Sequence, residues 1–184
     1  MPMPLPTPAE LEAAAAIVYR AMPPTPQYSW PLLNQALGYE AWVKHENHTP
    51  TGAFKVRGGL VYLERLRQRL PQLRGVISAT RGNHGQSIGF AAARQGMAAA
   101  IVVPHGNSSE KNAAMRALGV ELIEHGSDFQ ESREHAALLA EQRGLHMIPS
   151  FHPDLVSGVA SYWSELLAAQ PALDLLLVPI GQGS

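Results

Sequence analysis

Two stretches of the chain combine residue types that can do chemistry. The first is Pro50-Thr51-Gly52-Ala53-Phe54-Lys55-Val56-Arg57-Gly58-Gly59. It sets a lysine beside an aromatic residue at what reads as the start of a helix, with the Thr51 hydroxyl as the expected cap. In a first turn the helix dipole disfavours a cation, and the apolar Phe54 next to it works in the same direction. Only a neutral amine attacks a carbonyl carbon, so Lys55 is the candidate for Schiff-base chemistry. Taken alone, the same residues also describe a surface lysine on an amphipathic helix, which is the commoner case.

The second stretch changes those odds. Ala79-Thr80-Arg81-Gly82-Asn83-His84-Gly85-Gln86-Ser87 follows a short apolar run and leads into a helix. Backbone N–H groups at such a strand-to-helix turn point outward and bind anions, for instance a substrate carboxylate. Asn83 offers a donor and an acceptor, which suits a phenolic oxygen on a cofactor ring. The competing reading is an ordinary βα turn, rich in glycine and asparagine for conformational reasons.

The elements that must hold these stretches follow from pattern. Thr7-Pro8-Ala9-Glu10 fits a capping box, and Leu11, Ala14, Ala15, Val18 and Met22 continue at helical spacing. Thr25-Pro26 and Trp30-Pro31-Leu32 are expected to be extended or turned. A strand is predicted at 39–44, a polar loop at 45–50, and a helix carrying Lys55 to about Leu70. Strands at 76–79, 98–103, 121–124 and 146–148 then alternate with helices at 87–95, 110–118 and 128–143. Asp154 is the expected cap of a helix reaching Ala169, and 173–178 reads as a final buried strand. Alternation of this kind predicts an α/β fold with a parallel sheet and helices on both faces.

Composition limits the function classes. With 46% hydrophobic and 16% charged residues the chain is globular rather than disordered. A formal net charge of -1 gives no steering toward nucleic acid or an anionic membrane. There is no cysteine, so disulfides and thiolate metal sites are excluded, and the histidines show no ligand spacing, so no metal is expected. The proline-rich start lacks a signal-peptide pattern and no run is long enough for a membrane span, which makes the cytoplasm the expected compartment.

Together, the two stretches and the terminal loop resemble the fold-type II pyridoxal-phosphate enzymes (the tryptophan synthase beta-like fold), within them the threonine/serine dehydratase and serine racemase family. The segment from Lys44 to Gly58 is similar to that family's lysine motif, and Gly82-Asn83-His84-Gly85-Gln86 to its asparagine loop. Phe151-His152-Pro153-Asp154-Leu155-Val156-Ser157-Gly158 looks like the segment that returns the chain to the large domain, and Pro179-Ile180-Gly181-Gln182-Gly183-Ser184 like the start of the phosphate loop.

The resemblance implies two lobes, with residues 1–60 and 149–184 in a large cofactor domain and 61–148 in a small mobile domain. It implies pyridoxal 5'-phosphate as cofactor, with Lys55 as its Schiff-base lysine and the base at the substrate α-carbon. Phe54 would pack near the ring and Asn83 would bond its 3′-oxygen. Gly181, Gln182, Gly183 and Ser184 would bind the phosphate, and Thr80, Arg81, Gly82, Asn83 and His84 would hold the substrate. The activity implied is elimination of ammonia from a small hydroxy amino acid to give a 2-oxo acid, by a homo-oligomer (dimer or tetramer).

The sequence departs from the family pattern at two places. Arg81 stands where a small residue is usual and where a racemase needs serine, so racemisation is not expected. It either pairs with an acidic or bulky substrate group, as in 3-hydroxyaspartate, or points to solvent. The chain also stops inside the phosphate loop, from which a C-terminal truncation is expected. A related β-eliminating lyase, a threonine synthase, and an inactive fragment acting only as a binding module are the alternatives.

Overall fold

The computed structural model describes residues 5–180. Helix α1 (Pro8–Tyr19) opens with the expected capping box: the Thr7 hydroxyl accepts from the Glu10 N–H while the Glu10 carboxylate accepts from the Thr7 N–H. Its apolar face is core, with Ala14 and Val18 fully buried. Strand β1 (Gln27–Ser29) and strand β2 (Trp42–Lys44) form an antiparallel pair. Between them lies helix α2 (Pro31–Leu37), where sequence pattern suggests only an extended or turned segment. The residue before proline, Trp30, is indeed extended, but Pro31 then serves as a first helical residue and Gly38, at φ 78°, closes the helix in the left-handed region.

A 3-10 turn (Glu46–His48) leads to helix α3 (Lys55–Arg69). Thr51 does not cap it. The residue preceding the helix is Phe54, with no side-chain cap, and the Thr51 hydroxyl is buried without a hydrogen-bond partner. Thr49 instead clamps the approach: its hydroxyl accepts from the Ala53 N–H and donates to the Ala53 carbonyl, both at 2.9 Å.

The next part is the predicted parallel βα array. Strand β3 (Gly75–Ala79), helix α4 (Asn83–Arg94), strand β4 (Ala98–Val103), helix α5 (Ser109–Ala117), strand β5 (Glu121–Glu124), helix α6 (Phe129–Arg143) and strand β6 (His146–Met147) follow in order. The four strands form one parallel sheet in the order β5-β4-β3-β6. Successive residues point to opposite faces. Val76, Ile101 and Val103 enter one cluster with α1, α3 and α4 residues, while Ile77, Ala79, Ala100 and Val102 meet Ala136, Leu139 and Ala140 of α6. Helices therefore cover both faces, as right-handed crossovers require.

Helix α7 (Pro153–Ala169) packs back onto α3 and α1. Its cap is His152, whose Nδ1 accepts from the Asp154 N–H, rather than Asp154 itself. Asp154 is spent on Arg65 and Arg69 of α3, at 2.7 and 2.9 Å. Residues 173–178 form no strand, and 174–178 are exposed, with Leu177 79% accessible. A strand exists only where a neighbouring backbone pairs with it, and among the described residues none lies alongside. No described helix is long and apolar enough to cross a membrane.

Candidate active site

Lys55 is the first residue of α3, as the pattern requires. Its position is fixed from two sides. The Ser87 hydroxyl on α4 donates to the Lys55 carbonyl at 2.6 Å. Two residues on, Arg57 is fully buried in a net-neutral cluster. It donates to Glu46 Oε2 at 2.7 Å, to Glu165 Oε1 at 2.6 Å and to Ser161 Oγ at 2.9 Å, while Lys44 Nζ lies 2.6 Å from Glu165 Oε2. Burial works against an ionised Glu165, but the bonds from Arg57 and Lys44 outweigh it and hold the carboxyl below its ordinary range. This cluster ties the start of α3 to β2, the 3-10 turn and α7.

The amine itself lies over the Phe54 ring, 5.1 Å from the centroid. It is half-buried, and loss of water pulls its pKa below the ordinary lysine value of 10.5. Lys55 and Phe54 share a cavity of about 840 Å³ with the turn after β3, namely Thr80, Arg81, Gly82, Asn83 and His84. Sequence pattern starts α4 at Ser87; in the structure it starts at Asn83, so the asparagine turn is the first turn of the helix. Gly82 precedes it, its N–H bonded to the Thr80 hydroxyl at 3.1 Å. The unsatisfied amides of this first turn, with the helix dipole, form an anion-binding end beside the lysine.

His84 is held neutral near pH 7. Burial, then the positive charge of Lys55, pulls its pKa down to about 4, against the opposing effect of the Pro149 carbonyl. Its Nε2 is buried with no hydrogen-bond partner.

The opposite wall is apolar. Val156, Val159, Ala160, Tyr162 and Trp163 of α7 line it, with Val178, Pro179 and Ile180 beyond. The side chain of Lys111, in the first turn of α5, completes the polar wall.

The residues assigned to this site from sequence thus surround one cavity, except for Gly181, Gln182, Gly183 and Ser184, which lie outside the described residues. Sequence reasoning missed Lys111, Ser87 and the α7 wall, because no local signal links residues that only the packing of α5 and α7 brings together. Among the described residues, no group of three or more histidine and carboxylate side chains is arranged to hold a metal ion.

Residues 18–184 match the family model described as pyridoxal-phosphate dependent enzyme. The chain belongs to that family. A biosynthetic L-threonine dehydratase of Salmonella typhimurium is 36% identical over 169 residues, covering 91% of this chain and 33% of the relative. Serine racemase of Bos taurus is 32% identical over 163 residues, covering 86% and 48%. A crystal structure of a pyridoxal 5'-phosphate-dependent aspartate racemase superposes with a TM-score of 0.89 at 30% identity, over 95% of this chain and 54% of that one. The fold is that of the fold-type II enzymes. The chain spans about a third of the length of the threonine dehydratase and about half of the racemase chain.

The cavity suits the pyridoxal-phosphate cofactor of this family. It offers a half-buried amine whose pKa is lowered, a helix end for anions, an apolar wall for a ring, and an unpaired buried nitrogen on His84. Among the described residues no carboxylate lines it to oppose a phosphate.

Proposed function

We propose that the site eliminates ammonia from a β-hydroxy-α-amino acid of the threonine or serine type, giving a 2-oxo acid. The observation that carries this reading is Lys55: an amine made less basic by burial, on the same cavity as the first turn of α4. When bound, pyridoxal phosphate withdraws electrons from the substrate α-carbon and so makes its proton acidic.

The chain supplies the rest. Lys55 Nζ would hold the cofactor at its aldehyde carbon and would be the base that takes the proton from the substrate α-carbon. Phe54 would pack beside the ring, and the Asn83 amide would bond its phenolic oxygen. The first amides of α4, from Asn83 and His84, would receive the substrate carboxylate, with Thr80, Arg81 and Gly82 beside them. Val156, Val159 and Trp163 keep water from the reacting carbon. The amides of Gly181, Gln182, Gly183 and Ser184 would hold the phosphate. The two-lobe division at residues 60 and 149, a homo-oligomer and a cytoplasmic setting belong to the same reading.

The test is direct. The chain is mixed with pyridoxal phosphate, reduced with borohydride, digested and weighed by mass spectrometry, and assayed for 2-oxo acid from L-threonine and L-serine. The expected outcome is one reduced adduct on Lys55 and product that disappears in K55A. An adduct spread over several surface lysines, with K55A unchanged, refutes it.

A further inference from the structure

The helix that carries the apolar wall of the cavity has an unusual cap. Thr7, Ser108 and Asp128 cap α1, α5 and α6 through oxygen, the common choice. Helix α7 is capped by the imidazole of His152, the side chain whose ordinary change of charge falls nearest to neutral pH. Pro153 has no N–H, so the Asp154 N–H is the first donor that the cap can satisfy, and His152 Nδ1 accepts from it at 3.1 Å. The His152 carbonyl accepts from the Val156 N–H at 3.1 Å. One residue thus holds the first turn at both ends, and Val156, Val159, Tyr162 and Trp163 of the cavity wall follow from it.

The cap works only while the imidazole is neutral. A protonated ring has no lone pair, and both of its nitrogens donate. Its Nδ1 would then confront the Asp154 N–H, and the positive end of the helix dipole would oppose its charge. Asp154 Oδ2, 3.5 Å from Nδ1, already accepts from Arg69 at 2.9 Å. A ring that turns toward that oxygen leaves the amide. The side chain of His152 is 35% accessible, so protons reach it.

Its neighbours come from three other parts of the fold. The Tyr62 ring of α3 meets the His152 ring edge to face at 4.9 Å, and the Tyr62 hydroxyl lies 2.8 Å from Nε2 of His146 on β6. Arg65 and Arg69 of α3 pair with Asp154, and Glu10 of α1 acts on Arg65. Burial pulls the pKa of His152 below the ordinary 6.5; the Asp154 carboxylate opposes this and Arg69 adds to it. His146 is also held low, by burial, Arg69 and His152.

We propose that His152 is a proton-released latch on α7: neutral, it caps the helix and holds Val156 and the wall beyond it in place; protonated, it gives up the cap and the wall loosens. The capped form refuses a proton that the frayed form accepts. Opening therefore grows as pH falls below 6.5 and levels off once the capped form protonates too. The latch does not depend on which reaction the cavity performs.

Hydrogen exchange of the full chain tests this, followed by mass spectrometry from about pH 7.5 to about pH 5 and corrected for the intrinsic pH dependence of exchange. Peptides covering 153–163 report on the latch, and a peptide covering 98–103 of β4 reports on global opening. In the parent chain, protection of 153–163 should fall by about three- to tenfold more than that of 98–103, the effect of losing one helix cap. H152N, whose amide oxygen accepts from the same N–H without titrating, should show no such extra fall. H152A should be poorly protected at every pH. R69Q removes a nearby cation and frees Asp154 Oδ2, so it should move the fall to higher pH. Equal falls in the parent and H152N overturn the proposal, as does a parent in which both peptides fall together. A fall that persists in H152N and vanishes in H146Q places the proton on His146 and overturns it as well.

Discussion

Gly58 on α3 and Gly158 on α7 meet where the two helices cross. A β-carbon at Gly158 would lie 2.8 Å from the Gly58 Cα, and one at Gly58 would lie 2.8 Å from the Leu155 carbonyl oxygen. The obstructing atoms are backbone, so no side-chain rotation makes room. Since Lys55 starts the same α3, this crossing sets the distance between the lysine and the apolar wall. Gly158→Ala should cost about 1–3 kcal/mol of stability, the usual penalty for overpacking, read as a lower urea midpoint. An unchanged midpoint would show that the helices separate freely.

Arg57 should be the most costly charge to remove. R57M leaves Glu46 and Glu165 buried with only Lys44 to balance them. A loss of about 3–5 kcal/mol is expected, as when one partner of a buried pair is deleted. In R57M/E165L the loss should be smaller than in R57M alone, because one stranded carboxylate goes with it. Equal losses in the single and double variants would contradict this account.

The asparagine turn was legible in sequence because its features are local: an apolar strand, two glycines and a helix start within a few residues. Lys55 was legible for the same reason. The lack of a side-chain cap on α3 was not, because two threonines precede the helix and sequence alone does not say which hydroxyl folds back; Thr49 does, onto Ala53 ahead of the helix, and Thr51 does not. The helix at Pro31–Leu37 was missed because proline marks a helix start as readily as an extended segment. The apolar run at 173–178 has strand chemistry, but pairing is a property of its neighbours. Lys111 entered the site only through the βα register that sets α5 beside α4.

His84 should give the folded chain an acid limb of its own. Its pKa is about 4 when folded, against an ordinary 6.5. Below 6.5 the unfolded chain takes up a proton that the folded chain refuses, so stability falls as pH drops and levels off below 4. Above 6.5 the residue has no pH effect. At 1.36 kcal/mol per unit the full penalty is up to about 3 kcal/mol. Urea midpoints at pH 7.5 and pH 4.5 should converge in H84Q relative to the parent chain. Parallel curves would mean that His84 protonates in place.

Asn83→Ala should weaken pyridoxal phosphate about tenfold, through loss of one hydrogen bond to a charged oxygen. The measurement is an absorbance titration at constant pH. Asn83 is exposed at the first position of α4, so the melting temperature should barely move. A large drop in melting temperature with unchanged cofactor affinity would assign the residue to folding alone.

A wall that carries Arg81 and Lys111, and no acid among the described residues, acts before contact as well as after it. Its field reaches several ångströms into solvent and draws small anions toward the opening, while cations are turned away. Capture should therefore slow as ionic strength rises, with the rate of escape much less affected.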